Sequence, residues 1–359
     1  MLEDAGLVTS KSKAPLPCTV LRGHNDAINA LCFVKFNNVN DNPLHLLSGS
    51  GDGYINLWNI ETRRLLKSFL AHNHSILSLQ YHKNSNKVIT FSRDGMLKTW
   101  DIEIVFATND NKQSLESYST GSCHFCNASC NNNTVEENDA INVYNDLIIT
   151  PSRNDGEILI WDLRSKNLVS NIKSDSYSRN VGMVTSLLLQ STSKCNNNIV
   201  TSVDMNLFAG YEDGSLSHID LKQMKPISNS PLNQNPILAI DISKDGKFLM
   251  VAGADQEVNQ LKYNNSTSTF KTKDNILLPN AGTGGLKYRS DGRIFVSAHW
   301  DNTVRIFQYN LKPLAVLRHH RESVFAVDFA NYEGYGHIFA TGSKDKTIAI
   351  WDNLFEKTI

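Results

Sequence analysis

The sequence predicts an all-β fold, a single seven-bladed β-propeller closed by its own N-terminal strand. Three observations predict it. An aspartate recurs seven times, each followed six positions later by an apolar or aromatic residue. The intervals between these aspartates are 42, 61, 58, 42, 46 and 44 residues, and four of the six match one four-stranded blade. Tight-turn signals separate runs in which polar and apolar residues alternate, the pattern of half-buried strands.

The repeats, in order, centre on Asp52, Asp94, Asp155, Asp213, Asp255, Asp301 and Asp345. Their partners six residues on are Trp58, Trp100, Trp161, Ile219, Leu261, Phe307 and Trp351. Each unit reads as a strand, a turn holding Asp-Gly, Asp-Asn or Asp-Lys, and a second strand. A further strand precedes the unit at 27–33, 76–81, 184–189, 237–242, 285–288 and 324–329. The turns SKDGK (243–247) and RSDGR (289–293) join two of these to the next strand of their blades. After Trp351 too little chain remains for a fourth strand in the last blade, and 18–21 has the composition to supply it. That pairing would remove an exposed sheet edge. The propeller therefore spans 16–353, between a tail at 1–15 and another at 354–359.

The two long intervals carry insertions at 103–144 and 190–206. NDNK (109–112), SLESYSTGS (114–122) and CNNNTVEEND (130–139) are too polar to bury much surface, which predicts a mobile loop. CNNN (195–198) predicts a similar surface expansion in blade four.

Composition narrows the function. Lys plus Arg number 35 against 36 Asp plus Glu, with no basic stripe, so direct nucleic-acid binding is not expected. No apolar run approaches the ~18–20 residues of a membrane span, and no signal-peptide core is found. Six scattered cysteines do not form a disulfide framework, which suggests a reducing compartment. Nucleotide-binding, zinc-protease and serine-hydrolase motifs are absent. GTGG (282–285) opens the inner strand of blade six rather than a phosphate loop. Cys123, His124, Cys126 and Cys130 form one cluster without a second ligand pair, so buried strand cysteines are the better reading than zinc. No cofactor or metal is expected, and no enzymatic activity.

Gly23-His24, Trp161-Asp162, Trp351-Asp352 and the seven aspartates together resemble the WD40 repeat. In that family a His, a Ser or Thr, the Asp and the Trp form a structural hydrogen-bonded tetrad. The resemblance assigns to such tetrads His24, Asp52 and Trp58; His72, Asp94 and Trp100; Asp155 and Trp161; and His320, Asp345 and Trp351. Blades three to six show no convincing His at that position. AGYEDGS (209–215), the stretch 285–320 and ATGSKDKTIAIW (340–351) are more specific. They are similar to the G-protein-β-like WD-repeat proteins, whose fungal branch is the ASTRA-associated family; the likeness fails in 103–144. It implies a nuclear scaffold, with a share in the cytoplasm left open, in the ASTRA assembly. It also implies ties to chromatin remodelling and to the TTT co-chaperone of phosphatidylinositol-3-kinase-like kinases. Self-association is not expected. A Gβ subunit would need a long N-terminal helix, which Pro15 and Pro17 disfavour. WDLR (161–164) offers an alternative, a docking box for a cullin-ring ubiquitin ligase, and a propeller hydrolase is a third reading.

The residue before each recurring Asp should project onto one rim: Gly51, Arg93, Asn154, Glu212, Ala254, Trp300 and Lys344. Of these Arg93, Glu212, Trp300 and Lys344 are the expected partner-binding residues, since exposed Trp and Arg are common hot-spot types.

Overall fold

A computed structural model describes residues 15–35, 44–102, 114–130, 146–173, 180–196, 199–264, 267, 269–332 and 336–352. They form seven antiparallel four-stranded sheets, the blades of a seven-bladed β-propeller. Blades are numbered in chain order, and the strands of each run from inner to outer.

The blades fall into two compact units. One carries blades one, five, six and seven, and the other carries blades two, three and four. In the first unit, blade one is Ile28–Val34, His45–Ser50, Tyr54–Asn59 and Arg64–Leu70. Blade five is Ile237–Ile242, Phe248–Gly253, Glu257–Asn264 and Thr269–Leu277. Blade six is Thr283–Tyr288, Ile294–His299, Val304–Gln308 and Pro313–Leu317. Blade seven takes Val324–Tyr332, Gly336–Ser343 and Thr347–Asp352 from the end of the chain. Its outer strand is Thr19–Arg22, antiparallel to Thr347–Asp352 with Thr19 opposite Ile350 and Arg22 opposite Thr347. The N-terminal strand thus completes the last blade, one residue further along than 18–21.

In the second unit, blade two is Ile76–His82, Lys87–Ser92, Met96–Asp101 and Glu116–Ser119. Blade three is Ser129–Cys130, Leu147–Pro151, Ile158–Asp162 and Asn167–Ile172. Blade four is Val184–Asn196, Ile199–Tyr211, Ser215–Asp220 and Lys225–Pro231.

Two expectations about insertions need correction. The stretch 114–122 is not loop throughout, because Glu116–Ser119 within it is the outer strand of blade two, and Ser129–Cys130 is the inner strand of blade three. The reason is Tyr118, buried among apolar side chains with its ring 5.4 Å from that of Trp161. Glu116 adds ion pairs with Lys87 at 3.6 Å and Lys166 at 3.0 Å. In blade four the extra residues continue the ladder instead of leaving it. Strand pairing runs on to Asn196 opposite Ile199, so the described part of the expansion lies in two long paired strands, and 197–198 lie outside the described residues. Residues 109–112 and 131–139 lie outside the described residues.

Each unit has its apolar layers between successive sheets. In the first, Leu21, Ile28, Leu46, Ile348 and Ile350 pack together, as do Val296, Ile306, Val324, Phe339 and Trp351. In the second, Ile149, Ile160, Leu187, Leu207 and Tyr211 form one layer. Burial of each such side chain contributes roughly 1.5–3 kcal/mol. Polar side chains add cross-links between neighbouring inner strands. Asp328 accepts the Phe33 N–H at 2.8 Å and Asp241 accepts the Tyr288 N–H at 2.7 Å. In the second unit Gln80 receives the Cys130 N–H at 2.6 Å and donates to the Ala128 carbonyl at 2.9 Å.

Candidate functional site

The recurring aspartates first serve their own turns. Asp94 accepts the N–H of Met96 at 2.9 Å, Asp213 that of Ser215 at 2.9 Å, and Asp345 that of Thr347 at 3.0 Å. This is the Asx-type contact that a short carboxylate makes two residues ahead. A histidine ahead of the inner strand can then reach the same carboxylate.

Blades two and seven complete the network. His72 Nδ1 donates to Asp94 at 2.9 Å, its Nε2 lies 2.7 Å from Thr90 Oγ1, and Trp100 Nε1 donates to that hydroxyl at 3.0 Å. In blade seven His320 Nδ1 meets Asp345 at 3.0 Å and its Nε2 meets Thr341 Oγ1 at 2.9 Å, which also receives Trp351 Nε1 at 3.1 Å. A carboxylate only accepts, so the proton of a neutral ring sits on Nδ1 and the hydroxyl donates to Nε2. The relay runs in one direction from indole to carboxylate. Burial drives the His72 imidazole below its ordinary range although Asp94 opposes this. Burial works against the Asp94 carboxylate, yet the His72 hydrogen bond and charge hold it lower than usual. Asp345 is likewise held low, chiefly by His320 and Thr347 acting against burial.

Blade one is incomplete. Trp58 and His24 both meet Ser48 Oγ, at 2.8 and 2.6 Å, but Asp52 accepts instead from Ser50 at 2.6 Å. Burial lowers the His24 imidazole to about 4, with Asp52 opposing. Blades four and five have Ala209 and Val251 where the hydroxyl would stand, and Ile219 and Leu261 in place of Trp, all buried. Blade six substitutes His299, whose Nε2 is 2.7 Å from Ser297 Oγ, while Asp301 is bound by Thr303, Asn280 and Arg305.

Blade three departs from the expected alignment. Trp161 Nε1 donates to Thr150 Oγ1 at 2.9 Å, but Asp155 is out of the network with its side chain 61% exposed. The turn holds one extra residue. Asn154, not Asp155, donates its N–H to Ser152 Oγ at 3.4 Å, as Asp94 and Asp345 do to Ser92 and Ser343. A histidine stands near Asp155, outside the network. His124, ahead of the inner strand, has Nε2 3.8 Å from Asp155. The long separation between His124 and Asp155 hides that contact in the sequence.

The rim positions share a backbone signature. Gly51, Arg93, Glu212, Trp300 and Lys344 donate their N–H groups to Ala27, Ser75, Met183, Gly282 and Ser323, at 2.8–3.0 Å. In blade three the extra turn residue moves this position to Arg153, one before Asn154. Lys344 pairs with Glu322 at 3.5 Å, and Glu212 accepts the Met183 N–H at 3.2 Å. Trp300 is 42% exposed, and its ring lies over Gly282 so closely that a Cβ there would collide with it. The indole is both packed on its own blade and open to solvent.

The remaining motifs are accounted for locally. Arg164 of WDLR pairs through Nε with Asp146 at 3.0 Å. Cys126 and Cys130 are buried and Cys123 is exposed. No group of three or more His, Cys, Asp or Glu is placed to hold a metal ion among the described residues.

The WD domain, G-beta repeat family matches residues 16–59, 63–101, 282–308 and 311–352. Guanine nucleotide-binding protein subunit beta-like protein 1 of Mus musculus is 29% identical over 94% of this chain and 96% of its own length. ASTRA-associated protein 1 of Schizosaccharomyces japonicus is 26% identical, over 94% of this chain and 98% of its own. The protein of the same name from Verticillium alfalfae is 24% identical over 95% and 93%.

Proposed function

We propose that this chain, a WD-repeat propeller with homologues named ASTRA-associated protein 1 in several fungi, is a non-catalytic scaffold subunit of an ASTRA-type assembly. On this reading it acts in the nucleus, in chromatin remodelling and in maturation of phosphatidylinositol-3-kinase-like kinases with the TTT co-chaperone. The observation that carries the reading is the extent of those matches, which run over nearly the whole of both chains. The chemistry of the blades supports it. His72, Asp94, His320 and Asp345 are each engaged in a hydrogen-bond chain within their own blade.

Tagged purification from native cells followed by mass spectrometry tests the proposal. Co-purification of TTT and ASTRA-type subunits is the expected result, with lower levels of the large kinases after depletion. Gel filtration of native lysate that shows only a free species near the chain mass of 40.1 kDa would overturn it.

A further inference from the structure

The segment 120–128, between the outer strand of blade two and the inner strand of blade three, is fixed at both ends. Thr120 donates its N–H and its hydroxyl to the Gly95 carbonyl, at 2.9 and 3.0 Å. Ser122 is fully buried and receives the His124 N–H at 3.3 Å. At the other end Cys126 is buried, and the Asn127 side chain clamps the Leu187 backbone through bonds of 3.0 and 2.8 Å. Gly95 permits the approach: its φ is +74°, and a Cβ there would stand 3.2 Å from the Ser122 carbonyl.

This anchored segment presents its largest side chain outward. Phe125 is 63% exposed, and the Arg93 guanidinium lies 4.1 Å from its ring centroid. Arg153, at the equivalent rim position of blade three, is exposed and flanks Gly121 in the same segment. Neither guanidinium has an acidic partner among the described residues, whereas Lys344 at the same rim position in blade seven is paired with Glu322. His124, next to Phe125 in the chain, has its Nε2 3.8 Å from Asp155.

We propose that Arg93, Phe125 and Arg153 form a docking site for an acidic linear segment of a partner protein. The segment would lay an apolar residue on Phe125 and set carboxylates against the two guanidiniums; this deepens the scaffold reading and rests on it. Charge complementarity names the occupant. Arginine forks match carboxylates in paired geometry. Covering the Phe125 face excludes water and strengthens the Arg93–ring attraction. A segment held rigid before binding loses little freedom on association.

The probe is a fluorescent peptide of about twelve residues, Asp and Glu with two leucines, titrated against the full chain by anisotropy. Binding should weaken as salt rises, because exposed charges are screened. A control peptide with Lys for every acid should not bind. Arg93→Glu with Arg153→Glu should weaken binding by at least about tenfold, and Phe125→Ala by about fivefold or more, with unchanged melting curves. Lys344→Glu should leave affinity unaltered. Equal affinity for both peptides, an undiminished double variant, or equal binding of a DNA duplex would overturn the proposal.

The same double variant in cells separates this from the scaffold reading. If the wild type recovers the assembly and the variant recovers it equally, the site is wrong and the scaffold stands. If the wild type recovers none while peptide binding keeps its dependence on both arginines, the scaffold reading falls and the site stands.

Discussion

Blade seven and blade five share a four-stranded sheet and an aspartate turn, yet they secure their inner three strands differently. Blade seven buries a directed relay from Trp351 through Thr341 and His320 to Asp345. Blade five places Val251 and Leu261 at the hydroxyl and indole positions, and its Asp255 accepts the Glu257 N–H of its own turn. The backbone tolerates either solution because each satisfies its buried atoms at these positions. A relay with one member removed leaves unpaired polar atoms in an apolar layer, and a hydroxyl added to the apolar blade has the same defect. Their outer strands differ too: blade five's is local, and blade seven's comes from the other end of the chain.

The largest test strikes that second difference. Deleting residues 1–22 removes the outer strand of blade seven, exposing Thr347–Asp352 as an edge beside an opened apolar layer. Insolubility is expected, or a fall in melting temperature on the order of 10 °C or more. Calorimetry of a deletion of 1–12, which leaves Thr19–Arg22 in place, should show little change.

The next test exchanges the two chemistries. Thr341→Val should cost roughly 3 kcal/mol in urea unfolding, since His320 Nε2 and Trp351 Nε1 both lose their partner. Val251→Thr should cost about 2 kcal/mol, because its hydroxyl enters a dry layer. If Thr341→Val proves neutral, the relay in blade seven adds no stability over an apolar core.

Blade one lies between the two, and acid sharpens the contrast. Burial lowers the His24 imidazole to about 4, and burial does the same to His218 and His299. A histidine depressed in the folded chain binds its proton first in the unfolded one. Its contribution is complete above the ordinary value of 6.5 and is lost as pH falls toward 4, about 2 kcal/mol each by pH 5. Asp241 and Asp328, raised by burial, act the other way. Lowering the pH from 7 to 5 should cost the His24→Gln variant less urea resistance than the wild type. An equal loss in that variant would remove His24 from the account.

The smallest expected effect is in the turn of blade seven. Lys346 has a φ of +67°, in the left-handed region that glycine occupies more easily. Lys346→Gly should stabilise the chain by a few tenths of a kcal/mol, read as a melting shift of about a degree.

These contrasts show what a sequence can disclose. The aspartate turns are legible because the carboxylate serves an N–H two residues on, within reach of any local pattern. Trp58, Trp100 and Trp351 are legible for the same reason, each a fixed ten residues from its hydroxyl partner. Blade three misleads because one extra turn residue puts Asn154 where the spacing predicts Asp155, and spacing alone cannot tell which residue faces inward. Tyr118 and His124 are hidden because their contacts lie across sequence that carries no repeat. Asp241 and Asp328 look like ordinary polar residues of alternating strands. Only the neighbouring blade shows that each accepts a backbone N–H there.

The composite last blade also sets an order of events during synthesis. Cys18 and Ile350 are bonded across 332 residues, so the earliest-made strand of the propeller has no partner until nearly the last strand has emerged. At ribosomal rates of roughly 5–20 residues per second it waits for tens of seconds, while blades one to six can assemble behind it. Throughout that interval the newborn chain holds an unmatched strand near its front. A chaperone that shields Thr19–Arg22 would therefore protect the protein when it is most exposed to aggregation.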